Sequence, residues 1–203
     1  MYISIHPDAP QQRNMDQALA VLETGGVIIY PTDTIYGIGC NINEQKAIDR
    51  VAKIKGIKAE KASFSFICHD FTQLSQYCKP ISNDVFKLMK RLLPGPYTFI
   101  LEANNKVPKM LKNKKKTIGI RIPDNNIVRE LVRQLDAPIL STSVYDEDKV
   151  IEYTTDPELI YERYENHIDL MVDGGTGGNI PSTVIDCTKD EIKIIRQGLG
   201  KVD

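Results

Sequence analysis

Apolar segments with the pattern of β-strands alternate with amphipathic segments of helical spacing along the 203 residues of this chain. Residues 2–5 alternate like a first strand, residues 15–22 carry apolar side chains at helical spacing, and residues 27–30 form a second apolar strand. Strands separated by helices require crossover connections, which are typical of a parallel or mixed sheet. Because no repeat or long linker interrupts the pattern, we predict one α/β domain over residues 1–203.

The remaining boundaries follow from turn and capping residues. Asp8 and Pro10 are expected to open the first helix. Asn43 is expected to cap a second helix, which Gly56 ends, and Asp124 is expected to cap a later one. Further helices are predicted from residue 70, over 82–93 and near 156–164, and further strands over 63–68, 97–101, 117–122, 138–141, 169–172, 182–187 and 192–196. Residues 30–39 are expected to form a loop.

Composition excludes several classes of protein. Hydrophobic residues make up 41% and charged residues 26% of the chain, close to globular averages, which argues against disorder. The four cysteines form no CxxC pair, so they are expected to be small buried hydrophobes in a reducing compartment rather than a zinc site. No apolar run approaches the length of a membrane span. We therefore expect a cytoplasmic protein with no membrane partner.

Charge is distributed unevenly although the net charge is −1. Residues 79–133 hold thirteen Lys or Arg against four acids, and residues 134–173 hold eleven acids against two bases. Most such runs are solvated faces. The run 106–116 has six lysines, no acid and no aromatic residue, so it could hold phosphates by charge but would read no base sequence.

Three segments carry candidate chemistry. Residues 30–39, Tyr-Pro-Thr-Asp-Thr-Ile-Tyr-Gly-Ile-Gly, follow a buried strand, where open α/β sheets usually bind ligands, but an ordinary turn is an equally good interpretation. Residues 140–143 place three hydroxyls at the end of a strand. Residues 173–178 contain four glycines whose N–H groups could converge on an anion, although a flexible loop has the same composition.

Two arginines lie near strand ends, and each has two interpretations. Arg121 and Arg196 indicate either an anionic ligand or a structural salt bridge. Together with the hydroxyl-rich segments, they favour a cleft that binds phosphate or carboxylate groups. No arrangement of histidines or cysteines in the sequence indicates a nucleophile or a protein-bound metal.

In order along the chain, these segments resemble the YrdC family, with its YciO branch as the nearest match. The matching segments are residues 25–39, 93–101, 118–124, 138–143, 182–186 and 194–198. The resemblance implies a single-domain YrdC-like fold with a core over about 15–200: a twisted, open mixed sheet flanked by helices, with a concave cleft. Characterised members are threonylcarbamoyl-AMP synthases, which make threonylcarbamoyl-AMP and pyrophosphate from ATP, L-threonine and bicarbonate for t6A modification of tRNA.

The resemblance also implies roles for individual residues. Threonine and bicarbonate would be held by Thr32, Thr34, Tyr36 and Arg121. The nucleotide, with Mg²⁺ on its phosphates, would be held by Lys55, Lys61, Ser141, Ser143, Tyr145, Ser182 and Arg196. The family is also associated with double-stranded RNA or tRNA, for which the candidate contacts are Lys112, Lys114, Lys115 and Lys116.

Two departures from the family pattern bear on activity. The family's Lys-x-Arg reads Lys55-Gly56-Ile57 here, and its Ser-x-Asn reads Ser143-Val144-Tyr145. Losing one donor to the transition state commonly costs about 10²–10³ in rate. Three hypotheses follow: a synthase or a weakened relative, a non-catalytic RNA-binding protein, and a related transfer reaction using another amino acid or nucleotide.

Overall fold

The computed structural model describes residues 1–56, 64–108, 111, 116–144, 155–189 and 191–202. Within these ranges the chain forms one mixed sheet of ten strands, accompanied by six helices. None of the described helices is both long and apolar enough to span a membrane.

The sheet has the strand order β1-β8-β2-β3-β7-β4-β6-β5-β9-β10. Its strands are β1 (Tyr2–Ser4), β2 (Ile28–Tyr30), β3 (Gly37–Asn41), β4 (Ser65–Ile67), β5 (Tyr97–Glu102), β6 (Thr117–Arg121), β7 (Ile139–Ser143), β8 (Leu170–Asp173), β9 (Thr183–Asp186) and β10 (Lys193–Arg196). Parallel pairs join β1 to β8, β8 to β2, β4 to β6 and β5 to β9, and the other neighbours are antiparallel. The predicted α/β fold with a mixed sheet is confirmed.

The helices begin and end largely where the sequence indicates. They are α1 (Gln12–Glu23), α2 (Gln45–Ile54), α3 (Phe71–Ser75), α4 (Asn83–Leu92), α5 (Asn126–Leu135) and α6 (Pro157–Tyr164). Asp70, Ser82 and Asp156 cap α3, α4 and α6 with side-chain hydrogen bonds, as short polar residues do at helix N-termini. Gly56 takes a left-handed φ of 65° directly after α2.

Three local predictions are wrong. Asn43 does not cap α2, which begins after Glu44 without a side-chain cap, and α1 starts at Gln12 rather than near Asp8. Asn125 caps α5 by accepting a hydrogen bond from the Val128 amide at 3.2 Å, whereas the Asp124 amide donates to Asp33. The asparagine is one residue nearer the first helical turn, which puts its oxygen within reach of the free amide.

The expected loop over residues 30–39 becomes strand β3 from Gly37 onward. Glycine disfavours strands because it has no side chain to pack, so the sequence gives little signal here. In the fold both glycines of β3 lie against the Tyr30 ring, and a Cβ at Gly37 would lie 2.9 Å from the ring atom Cζ. The tyrosine ring fills the space that strand side chains would otherwise occupy.

Alternation along the strands divides the core between the two faces of the sheet. In β2, Ile29 packs in a large cluster with α2, α3, α4 and α6, and Ile28 and Tyr30 pack in a second cluster with α1 and α5. The second cluster involves β8 and β2 together with Ile67 of β4 and Ile139 of β7. Within the described ranges, α1 and α5 thus cover part of this face, and the concave remainder forms the candidate site.

Candidate functional site

The open part of the sheet face holds a cavity of about 460 Å³. Its floor comes from alternate residues of adjacent strands, because every second side chain of a strand points to the same face. These floor residues are Thr98 and Ile100 of β5, Thr117, Gly119 and Arg121 of β6, Ser141 and Ser143 of β7, and Val184 of β9. Further lining comes from Thr34, Ser65, Ser182, Arg196 and a set of apolar side chains: Ile35, Phe64, Phe66, Leu111, Ile118, Pro181 and Ile195. The lining thus combines hydroxyl groups and two cations with a set of apolar side chains.

Arg121 forms a buried ion pair with a residue of the loop that follows β2. Its Nη2 donates to Asp33 Oδ1 at 2.6 Å and to Thr34 Oγ1 at 2.9 Å. The Arg121 side chain is 11% exposed and that of Asp33 8% exposed. The salt-bridge interpretation of Arg121 is therefore correct, and the pair also fixes the loop at the edge of the cavity.

Arg121 nevertheless keeps hydrogen-bonding capacity for a ligand. Its Nε is buried and has no hydrogen-bond partner among the described residues. A buried donor without a partner costs free energy, which a bound acceptor would recover. Asp33 uses its second oxygen to accept from the Asp124 amide at 2.9 Å, so this carboxylate is engaged on both sides.

Arg196 has no carboxylate partner in the part of the chain that the structure describes. Its guanidinium donates to the Ser182 carbonyl oxygen at 2.8 and 3.1 Å and to Ser182 Oγ at 3.2 Å. Burial, and then the nearby charge of Arg121, lower the pKa of Arg196. A cation that is repelled by another cation favours an anionic ligand beside it.

Hydroxyl groups lining the cavity belong to buried hydrogen-bond networks. The Tyr30 hydroxyl donates to Ser141 Oγ at 2.6 Å, and the hydroxyls of Thr98 and Ser182 lie 2.8 Å apart. Ser141, Thr98 and Ser182 are all buried. Their hydroxyls are therefore held in place before any ligand arrives, which favours tight and oriented binding.

Thr34 has an acceptor oxygen at the cavity edge. Thr32 donates its own hydroxyl hydrogen to the Ile35 carbonyl at 2.8 Å, so in the 3.1 Å contact between the two threonine hydroxyls Thr34 is the donor. Thr34 Oγ1 also accepts from Arg121. One lone pair of Thr34 Oγ1 then remains, and it is suited to a hydrogen-bond donor such as an amine.

Three predicted site residues do not line the cavity. Thr32 lies behind Thr34 and bonds within the loop. Lys55 donates from Nζ to the Ser143 carbonyl oxygen at 3.2 Å, so it contacts the end of β7 from outside the lining. Tyr36 is fully buried, and its hydroxyl accepts from the Gly174 amide and donates to the Gly175 carbonyl.

The glycine-rich segment 173–178 does not form an anion site through its amides. Gly174 and Gly175 donate to Tyr36 Oη and Asp173 Oδ1, and Gly177 and Gly178 donate to the carbonyls of Thr155 and Thr34. All four amides therefore have partners inside the protein. The prediction of converging N–H groups is wrong because these glycines instead allow the segment to lie directly against the Thr34 loop and the Tyr36 ring.

Several predicted residues fall outside the part of the chain that the structure describes. Lys61, Tyr145, Lys112, Lys114 and Lys115 lie outside the described residues, as does Ile57. Lys116 is exposed and takes a left-handed φ of 55°, directly before β6. The RNA-contact prediction therefore remains a prediction.

Sequence reasoning missed part of the site. Asp33 had been assigned no role beyond a local turn, and its partner Arg121 is 88 positions away. Ser65, Thr98 and Thr117 were not singled out, although a threonine within the apolar run Tyr-Thr-Phe-Ile-Leu is a usable signal. Among the described residues, no group of three or more His, Cys, Asp or Glu side chains could hold a metal ion.

Comparison with known proteins places this geometry in a family context. Residues 20–198 match the Sua5–YciO–YrdC family model, which bears the description "Telomere recombination". The uncharacterized protein YciO of Escherichia coli K12 is 42% identical over 203 residues, with 99% of this chain and 97% of that protein covered. The crystal structure of E. coli YciO matches with a TM-score of 0.92 over 99% of this chain and 97% of that one.

More distant relatives have a named activity. A threonylcarbamoyl-AMP synthase of Nitrosococcus oceani is 30% identical over 170 residues, covering 83% of this chain and 90% of that protein. The crystal structure of Pyrococcus abyssi Sua5 complexed with L-threonine matches with a TM-score of 0.88 and 27% identity. That match covers 98% of this chain and 57% of the Sua5 chain, so this chain spans little more than half of it.

Proposed function

Because the chain belongs to the Sua5–YciO–YrdC family, we propose that its cavity binds ATP and L-threonine and that the protein makes threonylcarbamoyl-AMP from these and bicarbonate. The observation that carries the proposal is the convergence of Arg121, Arg196 and the hydroxyls of Thr34, Ser141, Ser143 and Ser182 on one cavity. Such a reaction would serve the t6A modification of tRNA.

Charge distribution supports a nucleotide as one ligand. Arg196 lacks a carboxylate partner among the described residues and contacts the buried Ser182 hydroxyl, so this part of the cavity suits phosphate oxygens. Apolar side chains such as Phe64, Leu111 and Ile195 line other parts of the same cavity and suit a base. ATP combines both chemical characters in one molecule.

A hydrogen-bond donor and an acceptor at the Thr34 loop support the binding of an amino acid. Arg121 offers Nε to a carboxylate, and Thr34 offers a lone pair to an amine. Thr34 Oγ1 lies 2.9 Å from Nη2 of the same guanidinium, so the two side chains together suit the carboxylate and amine that share one carbon in an amino acid. The threonine in the Sua5 structure is consistent with this assignment.

The proposed reaction forms two bonds in sequence. The threonine amine attacks the carbon of bicarbonate, a C–N bond forms, and water leaves to give a carbamate. A carbamate oxygen then attacks the α-phosphorus, the bond from the α-phosphorus to the bridging oxygen of the β-phosphate breaks, and pyrophosphate leaves with that electron pair. The protein residues contribute by orienting the reactants and stabilising negative charge.

We propose that Mg²⁺ enters as part of the nucleotide. The cavity lining contains hydroxyl groups and two arginines but, among described residues, no carboxylate that would form a protein cage for the ion. Mg²⁺ usually retains several waters and binds to substrate phosphates, where it reduces their negative charge.

Two departures in the sequence predict a slow enzyme. Ile57 and Tyr145 replace the arginine and asparagine of the family motifs. Lys55 contacts the Ser143 carbonyl, so the two altered motifs begin next to each other in the fold. With one or two hydrogen-bond donors to the transition state missing, we expect ligand binding to be retained better than catalytic turnover.

Calorimetry tests the binding, and pyrophosphate release tests the chemistry. We expect ATP to bind, threonine with bicarbonate to tighten that binding, and pyrophosphate release to require all three reactants. Omission of each reactant in turn is the matched control. A folded protein that neither binds ATP nor exceeds a no-enzyme blank would refute the proposal, and binding without turnover would refute catalysis alone.

Charge asymmetry favours a second candidate function, binding of double-stranded RNA or tRNA. Thirteen basic residues against four acids in residues 79–133 give this part of the chain a charge of +9. We expect affinity for a tRNA to fall steeply with salt and to drop when Lys112, Lys114, Lys115 and Lys116 are changed to Gln. Neutralising Lys46 and Lys53 of α2 is the control, and a flat salt dependence would exclude this function.

A further inference from the structure

Tyr30 contacts a cavity-lining residue from a strand that does not itself line the cavity. Its ring extends from β2 across β3, and its hydroxyl lies 2.6 Å from Ser141 Oγ on β7. The ring passes Gly37 and Gly39 of β3, where a Cβ at Gly37 would lie 3.0 Å from the tyrosine oxygen. A side chain at Gly37 would displace the ring, so the contact depends on this glycine.

The direction of this hydrogen bond determines what Ser141 presents to a ligand. Tyr30 is fully buried, and burial raises the pKa of its phenol above the ordinary value, so the hydroxyl keeps its hydrogen. That hydrogen is donated to Ser141 Oγ. No described residue accepts the hydrogen of the Ser141 hydroxyl, and Ser141 lines the cavity with 6% of its surface exposed.

We propose that Tyr30 is a positioning residue that makes the Ser141 hydroxyl a hydrogen-bond donor toward an anionic oxygen of the bound ligand. This inference rests on the proposed function, in which that oxygen belongs to ATP. A serine hydroxyl normally accepts or donates according to its surroundings. With one lone pair engaged by Tyr30 and no described residue accepting its hydrogen, Ser141 can donate that hydrogen to an acceptor oxygen of the ligand.

A double-mutant cycle on ATP affinity tests the proposal. Tyr30→Phe keeps the ring over the two glycines and removes the hydroxyl. We expect Ser141→Ala to weaken ATP binding about tenfold, as loss of a hydrogen bond to a charged group does, and Tyr30→Phe about three- to tenfold. Because Tyr30 acts through the serine hydroxyl, we expect Tyr30→Phe to have no further effect in the Ser141→Ala background.

Tyr97→Phe is the matched control. Tyr97 is 8% exposed, and its hydroxyl donates to the Lys201 carbonyl at 2.7 Å, away from Ser141. The Tyr97→Phe variant should lower the melting temperature as Tyr30→Phe does and leave the dissociation constant for ATP unchanged. A purely structural role for Tyr30 would instead give equal losses of ATP affinity in both backgrounds.

The other outcomes each decide the question. If the wild type binds ATP and Tyr30→Phe binds it equally well, the role of Tyr30 is refuted and the proposed function stands. If the wild type does not bind ATP, the proposed function fails and the inference fails with it. If Tyr30→Phe does not fold, NMR of the Tyr30 hydroxyl proton in the wild type supplies the test. This proton should exchange slowly with solvent, and its resonance should shift in Ser141→Ala. An unchanged resonance in Ser141→Ala would overturn the proposal.

Discussion

Replacing Asp33 by Asn tests whether the cavity depends on a buried ion pair. The pair with Arg121 has an N···O distance of 2.6 Å, with side-chain exposures of 11% and 8%. Removing one partner of such a pair leaves an uncompensated charge and typically costs about 3–5 kcal/mol. For a chain of this length, that loss corresponds to a decrease in melting temperature of about 6–20 °C.

Asp169→Asn is a control of similar geometry and different burial. Asp169 pairs with Arg50 at 2.7 Å, and both side chains are 41% exposed. Because solvent screens an exposed pair, we expect its loss to cost about 0–1 kcal/mol, or about 0–4 °C. Thermal unfolding followed by circular dichroism at one pH and salt concentration compares the two variants with the wild type.

The two substitutions are chemically identical, so the difference between them isolates burial. Asn at either position keeps an oxygen that can accept the neighbouring backbone amide, from Asp124 in one case and Val27 in the other. A melting temperature for Asp33→Asn within about 2 °C of that of Asp169→Asn would refute the argument from burial. Arg121 would then need no partner to remain at the cavity edge.

Three further predictions concern the cation, the glycine-rich segment and the thiols. Arg196→Gln should weaken ATP binding about 10–150-fold by calorimetry because a charged hydrogen bond is lost, whereas Arg13→Gln, at an exposed residue of α1, should not. Equal affinities of the two variants for ATP would contradict the assignment. Gly178→Ala should lower the free energy of unfolding by about 1–3 kcal/mol in urea titrations, because the alanine Cβ would meet the Thr34 backbone. An unchanged urea midpoint would show that the glycine-rich segment can move aside. Burial raises the pKa of Cys187 to about 12, so alkylation of this thiol at pH 8 should be slow in the native protein and should accelerate as the pH rises toward that value. Labelling at the rate of a free cysteine would contradict this prediction.

Local sequence pattern was sufficient to predict most of the sheet. Alternation and turn residues located nine of the ten described strands, because each has enough apolar residues to give a strand-like pattern. Strand β3 was missed because Gly37 and Gly39 carry no side chain, and the ring that packs against them comes from Tyr30 on another strand. Nothing within β3 itself indicates that packing.

The site was predictable in its residue types and less so in its contacts. Arg121, Arg196, Ser141 and Ser143 all line the cavity, as the hydroxyl-rich strand ends and paired arginines indicated. The partner of Arg121 could not be chosen from sequence, because Asp33 becomes its neighbour only when the sheet assembles. Glycine composition likewise permits both an anion site and close packing, and the internal partners of the amides decide in favour of packing.

The cavity lining comes from β4, β5, β6, β7, β9 and β10, so this pocket has no local precursor in the chain. A growing polypeptide acquires Thr34 early, yet it gains Arg196 only when β10 has been made and has joined β9. Partly folded intermediates that lack this last edge of the sheet should therefore have little affinity for nucleotides. Ligand binding would then discriminate between complete and incomplete molecules, and a saturating ligand would stabilise only the finished fold.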